Sequence, residues 1–507
     1  MAYRFEDIQR QIDDSSRRLP PNQPAPAPAP AQPPVTYAQP VTAHPVQQPS
    51  TGRISSERQL IFGEDVWINR APTTHEPPRS ELAVCLPGVD GQNLWLDKEV
   101  LSKHLLLLGG IGSGKTNVFN FILSSLMRRQ SPNDIIFVFD TKGDFQERFY
   151  DPRNPNHVLI GNAPGLAGKT RFWNVFGEIE EDDGSFGRVG EFAAKEIGKQ
   201  LFEGRESEHQ PFFGLAAADL VSKVIIDFER RAKAQGTRDI LNNASLVEWL
   251  SSANLGAYID LVRRNADFAS AQLYFGDPGQ GATQKLTAQA LGVFAYINLM
   301  QNDLLHGIFA AHQPGREFSM RRLVRDRGKN GGKTIVFVEY DLATGEVLAP
   351  MYRLLFDLAL KEALGQSRRR EGNVIFVIDE FKLLPNLMHI DDALNFGRSL
   401  GVKVFAGLQS IDQIFDIYGE DRGRAMLSGF MNAICFQASD ANTRTYVSER
   451  FGKNIYQLVY RAHDQYQSVQ NEGFAVESWD IRSFAPGTAA VDLLGKPPFV
   501  FRFLEYT

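Results

Sequence analysis

Residues 109–116 read GGIGSGKT, which matches the phosphate-loop pattern GxxxxGK[ST]. An apolar run precedes this pattern and a helical sequence, FNFILSSLMRR, follows it. In that context the glycines let backbone amides point at phosphate groups, the Lys115 ammonium reaches the outer phosphates, and the Thr116 hydroxyl is a magnesium ligand. We therefore predict a site for ATP and Mg2+. The predicted cofactor-binding residues are Gly109, Gly110, Ile111, Gly112, Ser113, Gly114, Lys115, Thr116 and Asn117.

A pair of acidic residues completes the predicted site. Asp379 ends the apolar run VIFVID, and Glu380 follows it directly. Open α/β sheets place ligands at such strand ends. A phosphate-loop hydrolase needs one carboxylate near the metal and a second group that orients or deprotonates water. We predict that Thr116 and Asp379 bind Mg2+, and that Glu380 and Lys115 are catalytic. The alternative for Glu380 is a cap on the helix that follows the strand.

Three further polar positions could belong to the same site. Asp140, in the sequence DTKGD, follows another strand candidate, so we expect it in a turn adjacent to the phosphate loop; a plain polar turn is the alternative. Gln409 follows a third apolar run and could contact a γ-phosphate or the attacking water, or only cap a helix. Arg398 ends a helical stretch and is either an arginine finger for a neighbouring subunit or a solvated helix-end arginine.

These residues require a sheet that brings several strand ends together. Short, continuous apolar runs are typical of strands that are buried on both faces of a parallel sheet. Helical stretches such as 115–130 and 347–364 lie between most of these runs. The sequence therefore predicts an α/β fold with a doubly wound, mostly parallel sheet. The strand candidates are LLLLG at 105–109, IIFVFD at 135–140, TIVFVE at 334–339, VIFVID at 374–379 and KVFAGL at 403–408.

Residues 176–332 interrupt this alternation. The stretch reads helical with almost no strand signal, so we predict an inserted all-α domain that divides the α/β part into 55–175 and 333–507. Near its end, residues 316–333 carry seven Lys and Arg residues against two acidic residues. Such an excess could contact nucleic-acid phosphates, and a solvated loop is the alternative. The arginines that would contribute are Arg321, Arg322, Arg325 and Arg327.

The first 54 residues differ in composition from the rest of the chain. Apolar residues at spacings of three and four predict a short helix within 1–19, which could be a docking tag. Residues 20–54 contain eleven of the 27 prolines. Because proline fixes φ and has no amide hydrogen, this stretch is predicted to be an extended linker. The alternative is a frayed tail with no partner.

Composition excludes several classes of protein. The net charge of −6 excludes a globally basic nucleic-acid binder, although not a local basic surface. Two cysteines cannot form a Cys-rich metal site and fit a reducing compartment. No apolar run approaches the roughly 18 to 20 residues of a bilayer span, and the N-terminus has no apolar secretory core. We therefore expect a cytoplasmic protein without a transmembrane segment, peripheral at the inner face of the membrane only through a partner.

Taken together, the motifs resemble the type IV coupling protein family, which are DNA-translocating ATPases of the wider FtsK–HerA class. The resemblance covers roughly residues 90–505. It rests on WLDKEVLSKHLLLLGGIGSGKTN, FDTKGDF, EFSMRRLV, VIFVIDEFKLL, FGRSLGVKVFAGLQSIDQIFDIYG and FMNAICFQASDANTRTYVSERFG. Typical members begin with transmembrane helices, whereas this sequence begins with the short helix and the Pro-rich linker.

The resemblance implies a RecA-like motor core with an inserted all-α domain, a homo-hexameric ring, and DNA moved through its channel to a secretion machine. Lys115 and Thr116 match the Walker A pair, and Asp379 and Glu380 match Walker B. By the same resemblance, Gln409 is the glutamine that follows Walker B and Arg398 is the arginine that acts in trans. Asp140, Lys142 and Gly143 match the family's D-x-K-G turn, although Thr141 stands where proline is frequent.

The predicted function is that of an ATP-driven DNA translocase, the coupling protein of a conjugative or type IV secretion system. Its expected partners are DNA and secretion or relaxosome proteins, the latter through residues 1–50. The alternative is a related hexameric ATPase that powers protein secretion or acts on DNA in defence or repair. A nucleotide-dependent binding module with little turnover is a third class, against which the Asp379–Glu380 pair argues.

Overall fold

The computed structural model describes residues 57–507, apart from 130, 182, 204–210, 276–286, 366–370 and 463–464. The predicted short helix at 1–19 and the Pro-rich linker at 20–54 lie outside the described residues. Nowhere in the described part does a helix combine the length and the apolar character that a bilayer crossing needs.

Strands occur throughout the described chain, but the longest lie near its C-terminal end. They are β1 (Glu57–Phe62), β2 (Val84–Pro87), β3 (Asn93–Leu96), β4 (Leu105–Leu108), β5 (Ile135–Asp140), β6 (His157–Ile160), β7 (Phe172–Trp173), β8 (Glu317–Phe318), β9 (Thr334–Glu339), β10 (Val374–Ile378), β11 (Val402–Leu408), β12 (Asn432–Cys435), β13 (Lys453–Ala462), β14 (Gln465–Phe474), β15 (Thr488–Asp492) and β16 (Phe499–Arg502).

Helices alternate with these strands and also fill the long interval between β7 and β8. They are α1 (Lys98–Leu101), α2 (Lys115–Arg128), α3 (Asp144–Phe149), α4 (Val175–Ile179), α5 (Arg188–Phe202), α6 (Pro211–Gln235), α7 (Asn243–Ser252), α8 (Leu255–Arg264), α9 (Ala288–Leu304), α10 (Met320–Arg325), α11 (Gly345–Leu364), α12 (Ile390–Leu400), α13 (Asp412–Tyr418), α14 (Glu420–Gly429), α15 (Ala441–Phe451) and α16 (Ser478–Ser483). Short 3-10 turns cover Pro164–Leu166, Ala266–Phe275, Gly307–Phe309 and Phe381–Leu383.

Nine strands form one sheet in the order β16-β15-β12-β4-β11-β10-β5-β9-β6. From β12 to β6 all neighbours are parallel. The last two strands, β15 and β16, extend the β12 side as antiparallel neighbours. The carboxyl ends of the seven parallel strands therefore meet at one edge, which is where such sheets bind ligands.

Both faces of this sheet are buried. Successive strand residues point to opposite faces, and each set packs into its own apolar cluster. On β5, Phe137 and Phe139 belong to an apolar cluster with α6, α11 and α12, whereas Ile136 and Val138 belong to a second cluster with α2, β2 and β3. This double burial explains the continuous apolar runs in the sequence. The five predicted strands are confirmed as β4, β5, β9, β10 and β11, and the two predicted helices as α2 and α11.

Other strands were not identified from the sequence. β1, β13 and β14 form a separate antiparallel sheet in which β13 and β14 pair over ten residues each. Residues 466–470 of β14 are exposed on both faces. A strand that is buried on neither face carries no continuous apolar run and no strict alternation, so the patterns that reveal β5 or β10 are absent from it.

Between β7 and β8 the regular elements of the described residues are all helices. The parallel pairing of Phe172 with Glu317 and of Trp173 with Phe318 closes this segment at its base. α10 lies inside the predicted range 176–332 but packs against α11. The division into domains at these limits stays a prediction.

The basic segment 316–333 does not present all its arginines to solvent. The Nε atoms of Arg321 and Arg325 lie 2.9 and 2.8 Å from the carboxylate of Glu362 on α11, and their side chains are 12% and 10% exposed. Both guanidinium groups are thus held inside the fold by one shared carboxylate. The prediction that Arg321 and Arg325 contact nucleic-acid phosphates is wrong, and so is the alternative of a solvated loop, because β8 and α10 lie within this segment.

Two further arginines of the basic segment also make internal contacts. Arg322 forms an ion pair with the buried Glu180, and Arg327 donates to the carbonyl of Val324 at 2.8 Å. Arg322 and Glu180 line a polar cavity of about 870 Å³ at the base of the helical insertion. Thr334, the first residue of β9, also lines this cavity, so the cavity lies toward the amino-terminal ends of the strands and away from the ligand-binding edge.

Glu178, on α4, joins the helical insertion to the segment that returns to the sheet. Its carboxylate is fully buried and accepts hydrogen bonds from Trp173 Nε1 (2.9 Å), Ser319 Oγ (2.9 Å) and the amides of Met320 (2.7 Å) and Arg321 (3.0 Å). Burial raises the pKa of Glu178, and the four donors oppose that rise. One carboxylate therefore fixes both β7 and the start of α10.

We expect Glu178→Ala to lower the free energy of unfolding by about 3 kcal/mol or more, because several buried donors would lose their acceptor at about 1–3 kcal/mol each. Urea unfolding followed by circular dichroism measures this loss. Glu248→Ala is the matched control, since Glu248 is exposed on α7, and it should change the stability by less than about 0.5 kcal/mol. Equal stability of the Glu178→Ala protein and the control would contradict this assignment.

Candidate functional site

The phosphate loop, residues 109–114, connects β4 to α2 at the carboxyl edge of the sheet. Gly109 allows a close approach there, because a Cβ atom at this position would lie 2.6 Å from the Cβ atom of Phe436. The Lys115 ammonium donates to the carbonyl of Gly109 and, at 3.0 Å, to that of Gly110. The loop thus has the curled backbone and the central cation that the sequence pattern predicts.

Two loops from the C-terminal part of the chain hold the phosphate loop on one side. The amide of Gly110 donates to the carbonyl of Gln437 at 2.7 Å, and the amide of Gly487 donates to the carbonyl of Ser113 at 2.9 Å. The Ser113 hydroxyl is buried and has no hydrogen-bond partner within the described part of the chain. The backbone positions of the loop are therefore fixed by segments that lie far from it in the sequence.

Thr116 and Asp379, the two predicted metal ligands, are in contact with each other. The Thr116 hydroxyl donates to Asp379 Oδ2 at 3.0 Å, and Asp379 is 9% exposed. Gly407 of β11 permits this contact, because a Cβ atom on Gly407 would lie 2.1 Å from the carbonyl oxygen of Asp379. A glycine inside an otherwise apolar strand signals such a close backbone approach, and this signal in the sequence was missed.

Glu380 and Gln409 also lie together. Gln409 Nε2 donates to Glu380 Oε2 at 2.6 Å, and the Gln409 amide donates to the side chain of Gln413 at 3.1 Å. The second oxygen of Glu380 is buried and has no partner among the described residues. Glu380 makes no side-chain cap to the helical turn that follows it, so the capping alternative is not supported. Gln409 instead holds the glutamate.

Burial shifts the pKa values of both charged groups at the centre of the site. It raises the pKa of Asp379 to about 6, although the hydrogen bond from Thr116 and the charge of Lys115 oppose this rise. It also lowers the pKa of Lys115, against the nearby charges of Asp379 and Glu380. Both shifts have the same cause, which is that the site is shielded from water. Electrostatic interactions made in such a place are stronger than at the surface.

The turn at Asp140 is farther from the phosphate loop than expected. β11 and β10 lie between β4 and β5, so the expectation that this turn is adjacent to the loop is wrong. Asp140 accepts hydrogen bonds from the amides of Lys142 (3.2 Å), Gly143 (2.9 Å) and Gln146 (2.8 Å), as a polar turn requires. The charge of Lys142 still acts on Asp379, whose pKa it lowers.

Arg398 lies at the opposite edge of the sheet. It is exposed near the end of α12, just before β11 begins, whereas Gln409 follows the other end of that seven-residue strand. At about 3.3 Å per residue the strand alone separates the two positions by about 20 Å. Arg398 therefore cannot act on a nucleotide in its own phosphate loop, and only a neighbouring chain could bring it to one.

The side chain of Asn117 is hydrogen-bonded to the C-terminal end of the chain. Its Nδ2 atom donates to the carbonyl of Leu504 at 2.8 Å, and its Oδ1 atom accepts from the amide of Tyr506 at 2.7 Å. Both ends of the amide are therefore used by the backbone of residues 504–506. The sequence offered no sign of this pairing.

The residues present fit a nucleotide with Mg2+. The loop provides backbone amides and a lysine for phosphate groups, and the Ser113 hydroxyl and one Glu380 oxygen are buried without a partner in the described structure. Thr116 and Asp379 provide oxygen atoms, which are the ligands that Mg2+ prefers. The arrangement can bind phosphates, hold a metal ion and keep a carboxylate beside it for water.

Comparison with known proteins identifies the same family that the sequence motifs resemble. A family model described as the type IV secretion-system coupling protein DNA-binding domain matches residues 92–459. A probable conjugal transfer protein TraG of Sinorhizobium fredii is 25% identical over 320 residues, which are 61% of this chain and 45% of the relative. The coupling protein TraD of Escherichia coli is 23% identical over 354 residues, 68% of this chain and 43% of TraD. The chain thus spans less than half the length of these relatives.

Solved structures confirm the predicted RecA-like phosphate-loop fold. The bacterial conjugative coupling protein TrwBdeltaN70 aligns with a TM-score of 0.66 at 18% identity, covering 89% of this chain and 94% of that one. TrwB in complex with ADP and Mg2+ aligns with a TM-score of 0.64 at 17% identity, covering 89% and 95%. At these identities the likeness shows the fold alone.

We expect Gly407→Ala to reduce the free energy of unfolding by about 2–3 kcal/mol, because the added methyl group would push β10 and β11 apart. Thermal melting measures the change. Gly165→Ala is the control, since a Cβ atom at Gly165 meets no atom within 4 Å. If both variants have the melting temperature of the wild type, the close contact between Gly407 and Asp379 does not constrain the site.

Proposed function

Because this chain belongs to the family of type IV secretion-system coupling proteins, we propose that it is an ATP-driven motor that delivers DNA to a type IV secretion channel. The observation that supports ATP hydrolysis most directly is the paired contact of Thr116 with Asp379 and of Gln409 with Glu380 at one sheet edge. Since the chain spans less than half the length of its curated relatives, its activity, substrate and partners are all part of the proposal.

Each residue of the site has a distinct role in this proposal. Backbone amides of the phosphate loop and the Lys115 ammonium bind the phosphates, while Thr116 and Asp379 hold Mg2+. When bound, the ion neutralises charge on the phosphates. Glu380 accepts the proton of the attacking water or orients it, and Gln409 holds Glu380 in place. A TrwB structure in complex with ADP and Mg2+ supports binding of this ligand pair.

The active unit in this proposal is a homo-hexameric ring. Arg398 lies at the edge of the sheet opposite its own phosphate loop, which suits an arginine that reaches the nucleotide of a neighbouring subunit. A nucleotide between two subunits would couple hydrolysis to movement of one subunit against the next.

DNA is the proposed substrate because the matching family model is named for a DNA-binding domain. Arg321 and Arg325 do not contribute to the DNA contact, since both are largely buried and ion-paired with Glu362. Residues 1–50, outside the described part, are the proposed attachment to secretion or relaxosome proteins. Through such a partner the protein would act at the cytoplasmic face of the membrane.

The first test measures ATP hydrolysis with and without single- and double-stranded DNA. We expect DNA to raise turnover at low salt, with a log–log salt slope of about −0.7 to −0.9 per phosphate contacted. Glu380→Gln should lower turnover by about 100-fold or more, because it keeps the metal ligand and removes the base. Lys115→Ala should abolish nucleotide binding or turnover.

Nucleotide binding is the control for the Glu380→Gln variant. It should stay close to that of the wild type, because Asp379, Thr116 and Lys115 are unchanged. Hydrolysis at the wild-type rate by Glu380→Gln would refute the catalytic assignment. An assembled ring with no response to any DNA would refute DNA as the substrate and favour protein secretion.

The second test mixes two inactive variants, Arg398→Ala and Lys115→Ala. If Arg398 acts in trans, mixed rings regain activity wherever an intact phosphate loop meets an intact arginine. Arg398→Ala alone should turn over about 1,000-fold more slowly than the wild type, the order of effect of an arginine finger. Lys115→Ala alone should show no turnover. Wild-type turnover by Arg398→Ala alone would exclude this role.

A further inference from the structure

The polar cavity of about 870 Å³ at the base of the helical insertion is not used by the proposed function. We call it the base cavity. Its walls come from the loop before β6, the β7–β8 pair, the turn between α6 and α7, and α10. The base cavity therefore lies between the large sheet and the insertion. Its volume suits a ligand of nucleotide size, since small-molecule sites usually enclose about 300–1,000 Å³.

Three arginines from different segments line the base cavity. Arg238 and Arg322 are both ion-paired with Glu180, whose side chain is 4% exposed, whereas their own side chains are 57% and 51% exposed. Arg171 forms no ion pair within the described part of the chain, and its Nη1 atom donates to the carbonyl of Gly315 at 3.4 Å. A guanidinium group has several N–H donors in a fixed plane, so all three arginines keep donors that a ligand can use.

The other acidic residues of the lining are not ion-paired with these arginines. Glu317 lies 2.5 Å from His312 Nδ1 and accepts a hydrogen bond from Asn174 Nδ2 at 2.8 Å. Asp326 forms an ion pair of 2.5 Å with a lysine of its own loop, and Asp239 is exposed. The three arginines therefore have one buried carboxylate between them, which leaves an excess of positive charge where their guanidinium groups meet.

The base cavity also has a buried polar atom that lacks a partner. Asn156 belongs to its lining, and the Oδ1 atom of Asn156 is buried without a hydrogen-bond partner among the described residues. Buried polar atoms are normally paired, because an unpaired one loses its hydrogen bonds to water. An N–H or O–H group of a bound molecule would supply the missing donor.

We propose that the base cavity binds a small molecule of nucleotide size that carries a phosphate group. Planar guanidinium groups with paired donors fit phosphate oxygens, and Arg171, Arg238 and Arg322 provide them from separate segments. Thr334, at the start of β9, also lines the cavity, so this site lies at the edge of the sheet opposite the phosphate loop. The two sites are therefore distinct.

The position of the base cavity indicates what its ligand would do. Arg238 lies in the insertion, just before α7, whereas Arg322 lies on α10, which packs against α11 beside the large sheet. A phosphate held by both arginines would join the insertion to the motor core. The ligand would thus regulate how freely the insertion moves against the sheet.

The closing experiment measures binding by calorimetry to the whole chain with Lys115→Ala, so that the phosphate loop contributes little. The ligands are inorganic phosphate, pyrophosphate, AMP and ATP, each without Mg2+. Arg171→Ala should weaken the binding by about tenfold or more, because a charge-assisted hydrogen bond is lost. Glu180→Gln should strengthen it by several-fold, because it removes the carboxylate that competes for Arg238 and Arg322. A damaged fold would not raise an affinity.

Arg263→Ala is the matched control. It removes the same charge as Arg171→Ala, but Arg263 lies on α8, is 72% exposed and does not line the base cavity. It should change the affinities by less than about twofold. Thermal melting of each variant checks that the fold is retained.

Several outcomes would overturn the inference. One is that none of the four ligands binds, and another is that Arg171→Ala or Glu180→Gln leaves their binding unchanged. A single-stranded oligonucleotide that binds more tightly than every small ligand, and that depends on Arg171, would show that the cavity contacts nucleic acid instead. Failure of the ATP hydrolysis tests would leave this inference standing, because the base cavity shares no residue with the phosphate loop.

Discussion

The close packing of β10 against β11 is the constraint on which the whole site depends. Gly407 lets the backbone of Asp379 approach so closely that no side chain fits between the two strands. With Ile378 opposite Ala406 and Leu408 opposite Leu108, three strands end within a few residues of one another. Thr116 can then reach Asp379 across the sheet edge, and Gln409 can reach Glu380. The chemistry follows from strand register, because none of these side chains could span a wider gap.

The strands that set this register were predictable because the protein buries them on both faces. A residue such as Phe376 contacts one apolar cluster and its neighbour Val377 the other, so the run is apolar throughout and stands out in the sequence. Residues 466–470 of β14 are exposed on both faces, and the hairpin of β13 and β14 left no comparable pattern. Burial on both faces therefore decided which strands could be predicted from the sequence. The number of backbone hydrogen bonds did not, since the hairpin has many of them.

The sequence indicated which residues form the candidate site, but it did not indicate which side chains contact one another there. The phosphate-loop pattern and the Asp379–Glu380 pair are local, and local spacing is what a single sequence contains. The partners of Asn117 are not local, since Tyr506 lies 389 positions away. Gln409, expected at a γ-phosphate, at the attacking water or as a helix cap, donates to Glu380, 29 positions earlier. An amide accepts and donates equally well, so its type alone does not select a partner.

The basic segment shows that the long-range partners of charged residues cannot be identified from the local sequence either. Seven basic residues within 316–333 suggest a surface for phosphates only if their counterions are absent. Glu180, in the loop after α4, pairs with Arg322, and Glu362 of α11 pairs with both Arg321 and Arg325. In a chain with a net charge of −6, acidic partners are available for most arginines. A DNA-binding surface in this protein must therefore arise where the fold separates basic side chains from acidic ones, or where neighbouring subunits bring basic edges together.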